Sequence, residues 1–267
     1  MSVSPLVVTA EAATATLAWI TVRVDPGAAA EDGWVRCADL TAADIAAWEG
    51  AVAEQLVRQH GRSDPQTAAS YVLCWYAAVP SLVGGAFFRL ARRVPRLGPC
   101  DLAFHRAPQG HPDGVALLDE RFWCLPSDPA TDDPRATTVA DEVRLAGVLR
   151  AEVRRHADAF LTWYRPGARL PRRSLLGAFF DGLDTGVGCG GTGWEALAAC
   201  AAVLPGHTAE FRDATTTFAI VGENGLPRLT RRRLCCCFYY RVADELCETC
   251  PRLTRSDRNR PTAAPAR

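Results

Sequence analysis

The chain contains no lysine. Its thirty basic residues are all arginine and are matched by thirty acidic ones, so there is no net charge. That balance argues against a protein built to hold nucleic acid or to lie on an anionic membrane, because both tasks depend on a cationic excess. The exclusive use of arginine reads as the codon bias of a GC-rich genome rather than as phosphate recognition. No repeat of solenoid period is present. There is also no recognisable catalytic triad, no carboxylate pair in a catalytic setting, and no nicotinamide or flavin fingerprint. The glycine-rich GVGCGGTG (186–193) lacks the Gly-Lys-Ser/Thr ending of a phosphate loop and the strand that precedes a dinucleotide turn, so it reads as a hinge or loop. The N-terminal MSVSPLVVTAEAATATLAW has no positively charged lead and carries Glu11 within its apolar part, which argues against a secretory signal and makes the cytoplasm the expected compartment.

One run, Pro65 to Phe88, has no charged residue and is long enough by count to cross a bilayer. It contains Gln66, Ser70 and Ser81, is interrupted by Pro80 and Gly84-Gly85, and leans on alanine. Two short buried helices with a kink are expected there, not a stable membrane span.

Local signals predict an α+β protein: a predominantly helical body, short strand hairpins and a small C-terminal cysteine-rich module. Residues 1–40 form an N-terminal segment with a strand over Trp19–Val24, turned at Asp25-Pro26-Gly27. A helical body follows over 41–205. Its first helix starts at Thr41, which stands three residues before Asp44 as in a capping box, buries Ile45, Trp48, Val52 and Leu56, and stops near Gly61. Asp64-Pro65 starts the next. Near 100–125, LAFHR and VALLDERFWCL flank PQGHPDG as a hairpin insert, and SDPATDDP after it reads as a linker. Leu145, Leu149, Val153, His156, Phe160 and Trp163 share one face of a long helix ended by Arg165-Pro166-Gly167, with His156 as a hydrogen-bonded core residue. Further helices are expected from Arg172 to about Thr185 and from Thr192, with Glu195 at capping-box spacing, to Leu204. Residues 206–252 combine a hairpin, turned at Gly222-Glu223-Asn224-Gly225, with the cysteine module, and 253–267 form a disordered tail.

Five of the eleven cysteines lie within sixteen positions, Cys235, Cys236, Cys237, Cys247 and Cys250. Thiols at that density are kept for a metal, a disulfide or redox work. The six others, Cys37, Cys74, Cys100, Cys124, Cys189 and Cys200, are scattered and odd in total with the rest, which suits buried small hydrophobes better than a disulfide framework. Cys235-Cys236, ten residues, Cys247, two residues and Cys250 make a C-C-x10-C-x2-C pattern. Structural zinc sites use two hooks with two to four residues between partners, and an adjacent pair fits that poorly. An iron-sulfur cluster, with two irons to ligate, accepts unequal spacing.

The stretch RRRLCCCFYYRVADELCETCPR resembles the end of the ferric-siderophore reductases, bacterial proteins with a [2Fe-2S] cluster on that signature. ASYVLCWYAAVPSLVGGAFFRLARR and RLPRRSLLGAFFDGLDTG are similar to that family's helical body. The resemblance implies Cys235, Cys236, Cys247 and Cys250 as ligands of a [2Fe-2S] cluster. The family's FYYR-like stretch directly follows the cysteine pair, which would instead make the pair Cys236-Cys237. Total spacing selects Cys235, and Cys237 is the alternative. The implied activity is reduction of an Fe(III)-siderophore to release Fe(II), with electrons from a separate donor. An electron-carrier or docking module on the same cluster, and a zinc-stapled domain, are the other readings. Arg231, Arg232, Arg233 and Arg241 are expected to set a positive field at the cysteines, and Tyr239 and Tyr240 to limit solvent there.

Overall fold

The computed structural model describes residues 3–191, 193–221 and 227–254. Helices make up 49% and strands 15% of it, an α+β fold with a helical body as expected. The chain opens with a helix that the sequence reading did not supply, α1 (Pro5–Leu17). Leu6, Ala10, Ala13 and Leu17 are buried on one face of α1, a stripe at helical spacing carried largely by alanine and so weak as a signal. The expected strand follows as β1 (Thr21–Val24). The Thr14 hydroxyl ties the two together, accepting from the Val22 N–H at 2.8 Å and donating to the Val22 carbonyl at 3.1 Å.

After β2 (Trp34–Arg36), α2 (Ala42–His60) begins on the predicted box. The Thr41 side chain accepts from the Asp44 N–H while Asp44 accepts from the Thr41 N–H, and Gly61 closes the helix at φ 73°. Asp64 caps α3 (Pro65–Ala91), which runs unbroken through Pro80 where a kinked pair was expected. Proline removes one backbone donor, but Val79, Pro80 and Ser81 are all buried and packing holds the axis, while the Ser81 hydroxyl bonds the Ala77 carbonyl. By length and composition α3 would suffice to cross a membrane, yet 78% of its apolar window is buried inside the protein.

Next come β3 (Arg93–Pro95), β4 (Leu102–Arg106), β5 (Pro112–Leu117), β6 (Phe122–Cys124) and β7 (Ala136–Thr138). The hairpin β4-β5 is as predicted. It sits in a four-stranded sheet of order β1-β5-β4-β2, with β1 parallel to β5, so the N-terminal strands and the hairpin share one sheet. The β6 part of the expected insert lies in another sheet, β3-β6-β7. Then follow α4 (Glu142–Trp163), α5 (Arg172–Val187), α6 (Gly193–Val203) and the antiparallel pair β8 (Thr217–Val221) and β9 (Pro227–Arg231). Thr192, the turn at 222–226 and the tail from 255 onward lie outside the described residues.

α3 and α5 cross at closest range. A Cβ on Gly186 would collide with the Leu82 carbonyl, and one on Gly85 would come within 2.8 Å of the Val187 nitrogen. Here Gly84-Gly85 admits a neighbouring backbone rather than breaking a helix. The core is also pinned by His156, fully buried on α4. Its Nδ1 lies 2.6 Å from the Leu97 carbonyl and its Nε2 2.8 Å from the Tyr76 hydroxyl. A carbonyl only accepts, so Nδ1 carries the proton and Nε2 accepts from Tyr76. Tyr76 stacks on Phe160 with ring centres 3.9 Å apart.

Gly186→Ala forces backbone against backbone and should cost about 1–3 kcal/mol by urea unfolding. Gly50→Ala on α2, where a Cβ meets nothing within 4 Å, should gain about 0.5–1 kcal/mol. Burial pushes His156 down to about 4 from 6.5. The unfolded chain therefore takes up a proton that the folded chain refuses, and stability falls as pH drops from about 6.5 to about 4, by about 3 kcal/mol in all. Unfolding of His156→Gln, followed across that range, should lack this component of the acid slope.

Candidate functional site

The cysteine segment leaves β9 and is gripped from two sides by side chains of the crossing helices. On α5, the buried Asp181 carboxylate accepts the N–H of Leu234 at 2.9 Å and of Cys235 at 2.8 Å. One turn later Asp184 accepts from the hydroxyls of Thr215, Thr216 and Thr217 and from the Thr216 N–H, which fixes the start of β8. On α3, Ser70 donates to the Cys236 carbonyl at 2.6 Å and Thr67 to the Phe238 carbonyl at 3.1 Å. Thr67, Ser70 and Cys74 fall at helical spacing and form a polar stripe in an apolar helix. Phe238 has φ 55°, a left-handed turn that bends the chain directly after the third cysteine. The second hook closes through the Cys250 N–H to the Cys247 carbonyl at 2.9 Å, and Arg233 N–H joins it at the Thr249 carbonyl, 3.1 Å away.

Two thiol pairs result. Cys237 Sγ lies 3.5 Å from Cys247 Sγ, and Cys235 Sγ lies 3.4 Å from Cys74 Sγ on α3. Of the four expected ligands, Cys247 thus meets a thiol, but that thiol belongs to Cys237. Cys235 is fully buried and turned toward Cys74, with the Ser70 hydroxyl 3.8 Å from its sulfur. Cys236 is half-buried, which pushes its thiol up, and Cys250 is buried. Among the scattered six, Cys37, Cys124 and Cys200 are buried as expected, Cys189 is half-buried, Cys100 is exposed, and Cys74 belongs to the site. Among the described residues, no three His, Cys, Asp or Glu side chains converge as a preformed metal site.

Arg233 lies between the pairs. Its Nη2 donates to Cys247 Sγ at 3.2 Å. Burial opposes its charge, but the thiols of Cys74, Cys237, Cys247 and Cys235 outweigh that and hold the guanidinium cationic. The hydrogen bond from Cys247, helped by Arg233, pulls the Cys237 thiol well below its usual range and raises that of Cys247. The other arginines are engaged elsewhere: Arg231 with the Asp181 carbonyl, Arg232 with the Pro251 carbonyl, and Arg241 with Asp64 at 3.1 Å. Tyr239 lines the site, and Tyr240 accepts from Arg252 at 2.6 Å.

The pair Cys237-Cys247 opens on a cleft of about 390 Å³ walled by Tyr71, Cys74, Trp75, Arg233 and Tyr239. Arg233 Nε is buried there without a hydrogen-bond partner. A tetrahedral ion with metal–sulfur bonds of ~2.3 Å sets its sulfurs about 3.8 Å apart, close to the 3.5 Å seen for Cys237 and Cys247. A soft donor pair, an orphaned cationic N–H and a roomy cleft fit an anionic thiolate-ligated cluster. Ser70, Cys74, Tyr71, Trp75 and Asp181 were not foreseen as site residues. Their signals were the Thr67-Ser70-Cys74 stripe and two acids, one turn apart, inside the apolar FFDGLD. No protein-family model matches this chain, and no curated protein matches it either.

Asp181 can be tested for its hold on the loop. Asp181→Ala leaves two buried N–H groups unpaired, offset in part by removing a carboxylate that burial has raised to about 6. The expected net loss is about 1–3 kcal/mol in urea unfolding, with faster labelling of Cys235 by a thiol reagent. Asp181→Asn, which keeps one acceptor oxygen, should label more slowly than the alanine variant.

Proposed function

We propose that the chain is a [2Fe-2S] protein that reduces an Fe(III)-siderophore in the cytoplasm and so releases Fe(II), with electrons from a separate donor. The contact between Cys237 and Cys247 beside the Arg233 guanidinium carries this reading. A two-iron cluster takes its thiolates two per iron, so its ligands fall into pairs instead of converging on one point. The geometry favours Cys237 over Cys235 as the partner of Cys247, with Cys236 and Cys250 completing the set. This is the register in which FYYR follows the cysteine pair directly.

When bound, such a cluster supplies electrons singly. The remaining work falls to side chains. Arg233 offsets the negative charge of the thiolates and of the added electron. Tyr71, Trp75 and Tyr239 narrow the cleft, limit water, and give a chelate flat faces to rest on. Fe(III) binds hard oxygen donors more tightly than Fe(II), so one electron delivered to the chelate weakens every metal–oxygen bond and lets the ligand exchange. No nucleophile or general base is required for this electron transfer.

Protein purified without air should be red-brown, contain iron and acid-labile sulfide in equal amounts near two each per chain, and bleach on reduction. Cys237→Ser should abolish or shift that spectrum, whereas Cys235→Ser should retain it. Mixing the reduced protein with a ferric hydroxamate should yield trapped Fe(II) in one turnover. Colourless protein holding zinc, or protein without iron and sulfide, would overturn the reading. A coloured, reducible protein that leaves the chelate untouched would instead mark an electron carrier.

A further inference from the structure

We infer that Cys74 and Cys235 form a second redox site, a dithiol that undergoes thiol–disulfide exchange with small disulfides entering from the cleft. Their sulfurs are 3.4 Å apart, in contact but unbonded, against the ~2.05 Å of a disulfide bond. The two thiols differ in access. Cys74 is half-buried and lines both the 390 Å³ cleft and a second hollow of about 160 Å³. Cys235 is fully buried, so an incoming reagent meets Cys74 first. Arg233 borders both spaces.

The backbone holds this pair independently of any metal. Asp181 fixes the Cys235 N–H, Ser70 fixes the following carbonyl, and Cys74 stands one turn beyond Ser70 on the same helix. Cys235 therefore faces α3, whereas Cys237, two residues on, meets Cys247.

The exchange balances with a low-molecular-weight disulfide, RSSR, as oxidant. Cys74 thiolate attacks one sulfur of RSSR, the S–S bond breaks, and RS⁻ leaves with one electron pair. Cys235, giving its proton to the departing thiolate, then attacks the Cys74 sulfur of the mixed disulfide and expels the second RS⁻. The other RS⁻ takes up from water the proton that Cys74 released on ionising, so two protein thiols are oxidised and RSSR is reduced to two thiols.

The test treats the protein, as isolated with whatever metal it holds, with oxidised glutathione under non-denaturing conditions and maps disulfides by mass spectrometry. Iron content and circular dichroism are followed in parallel. The expected product is a Cys74–Cys235 crosslink with loss of two hydrogens, reversed by dithiothreitol. Cys235→Ser should instead accumulate a stable glutathione adduct at Cys74, and Cys74→Ser should give neither. Failure of the crosslink to form in folded wild-type protein, or an equal yield of disulfide in Cys74→Ser, would overturn the proposal. Neither result depends on iron content, so a wrong assignment of the cluster would register separately in the metal and sulfide analysis.

Discussion

The site depends on how closely α3 and α5 cross. Glycines at 85 and 186 let the two backbones touch, and any side chain there would push the helices apart. That spacing places Thr67, Ser70 and Cys74 of one helix and Asp181 of the other on opposite sides of the cysteine segment. The segment has little regular structure of its own. Its carbonyls are taken by α3 and its N–H groups by α5, so its conformation is inherited from the helix pair.

Between these supports, a single buried guanidinium organises the sulfur chemistry. Arg233 touches Cys247 and feels the thiols of both pairs. Removing a cation of this kind from water is costly unless negative charge meets it, and neighbouring thiols are the source of that charge here. The same arrangement makes thiolates easier to form, which a metal ligand and an exchanging thiol both require. One cation is thus shared by both thiol pairs, Cys237–Cys247 and Cys74–Cys235.

Much of the scaffold was legible in the sequence because its determinants are local. The Thr41-Asp44 box, the Asp64-Pro65 start, the apolar stripe of α4 and the β4-β5 hairpin each depend on residues within one turn or one loop. His156 was legible as a core residue because it stands in an apolar stripe. Where reading failed, the cause was distant. α1 hides its buried face behind small alanines, and α3 runs straight through Pro80 because surrounding packing outweighs one missing hydrogen bond. Cys74 looked like one more small hydrophobe, since nothing near it in the chain names its partner 161 residues away.

The sequence by itself determined the inventory: a thiol-dense C-terminal segment flanked by arginine, attached to a helix-rich body with well-marked caps. Only the tertiary structure decided which thiol faces which. In regular extended backbone residues two apart share a face, so the different partners of Cys235 and Cys237 come from a bend in the segment that sequence spacing does not encode. The choice falls to Asp181 and Ser70, which hold the backbone on either side of Cys235 and turn its sulfur inward, and to the left-handed turn at Phe238, which carries the chain on from Cys237.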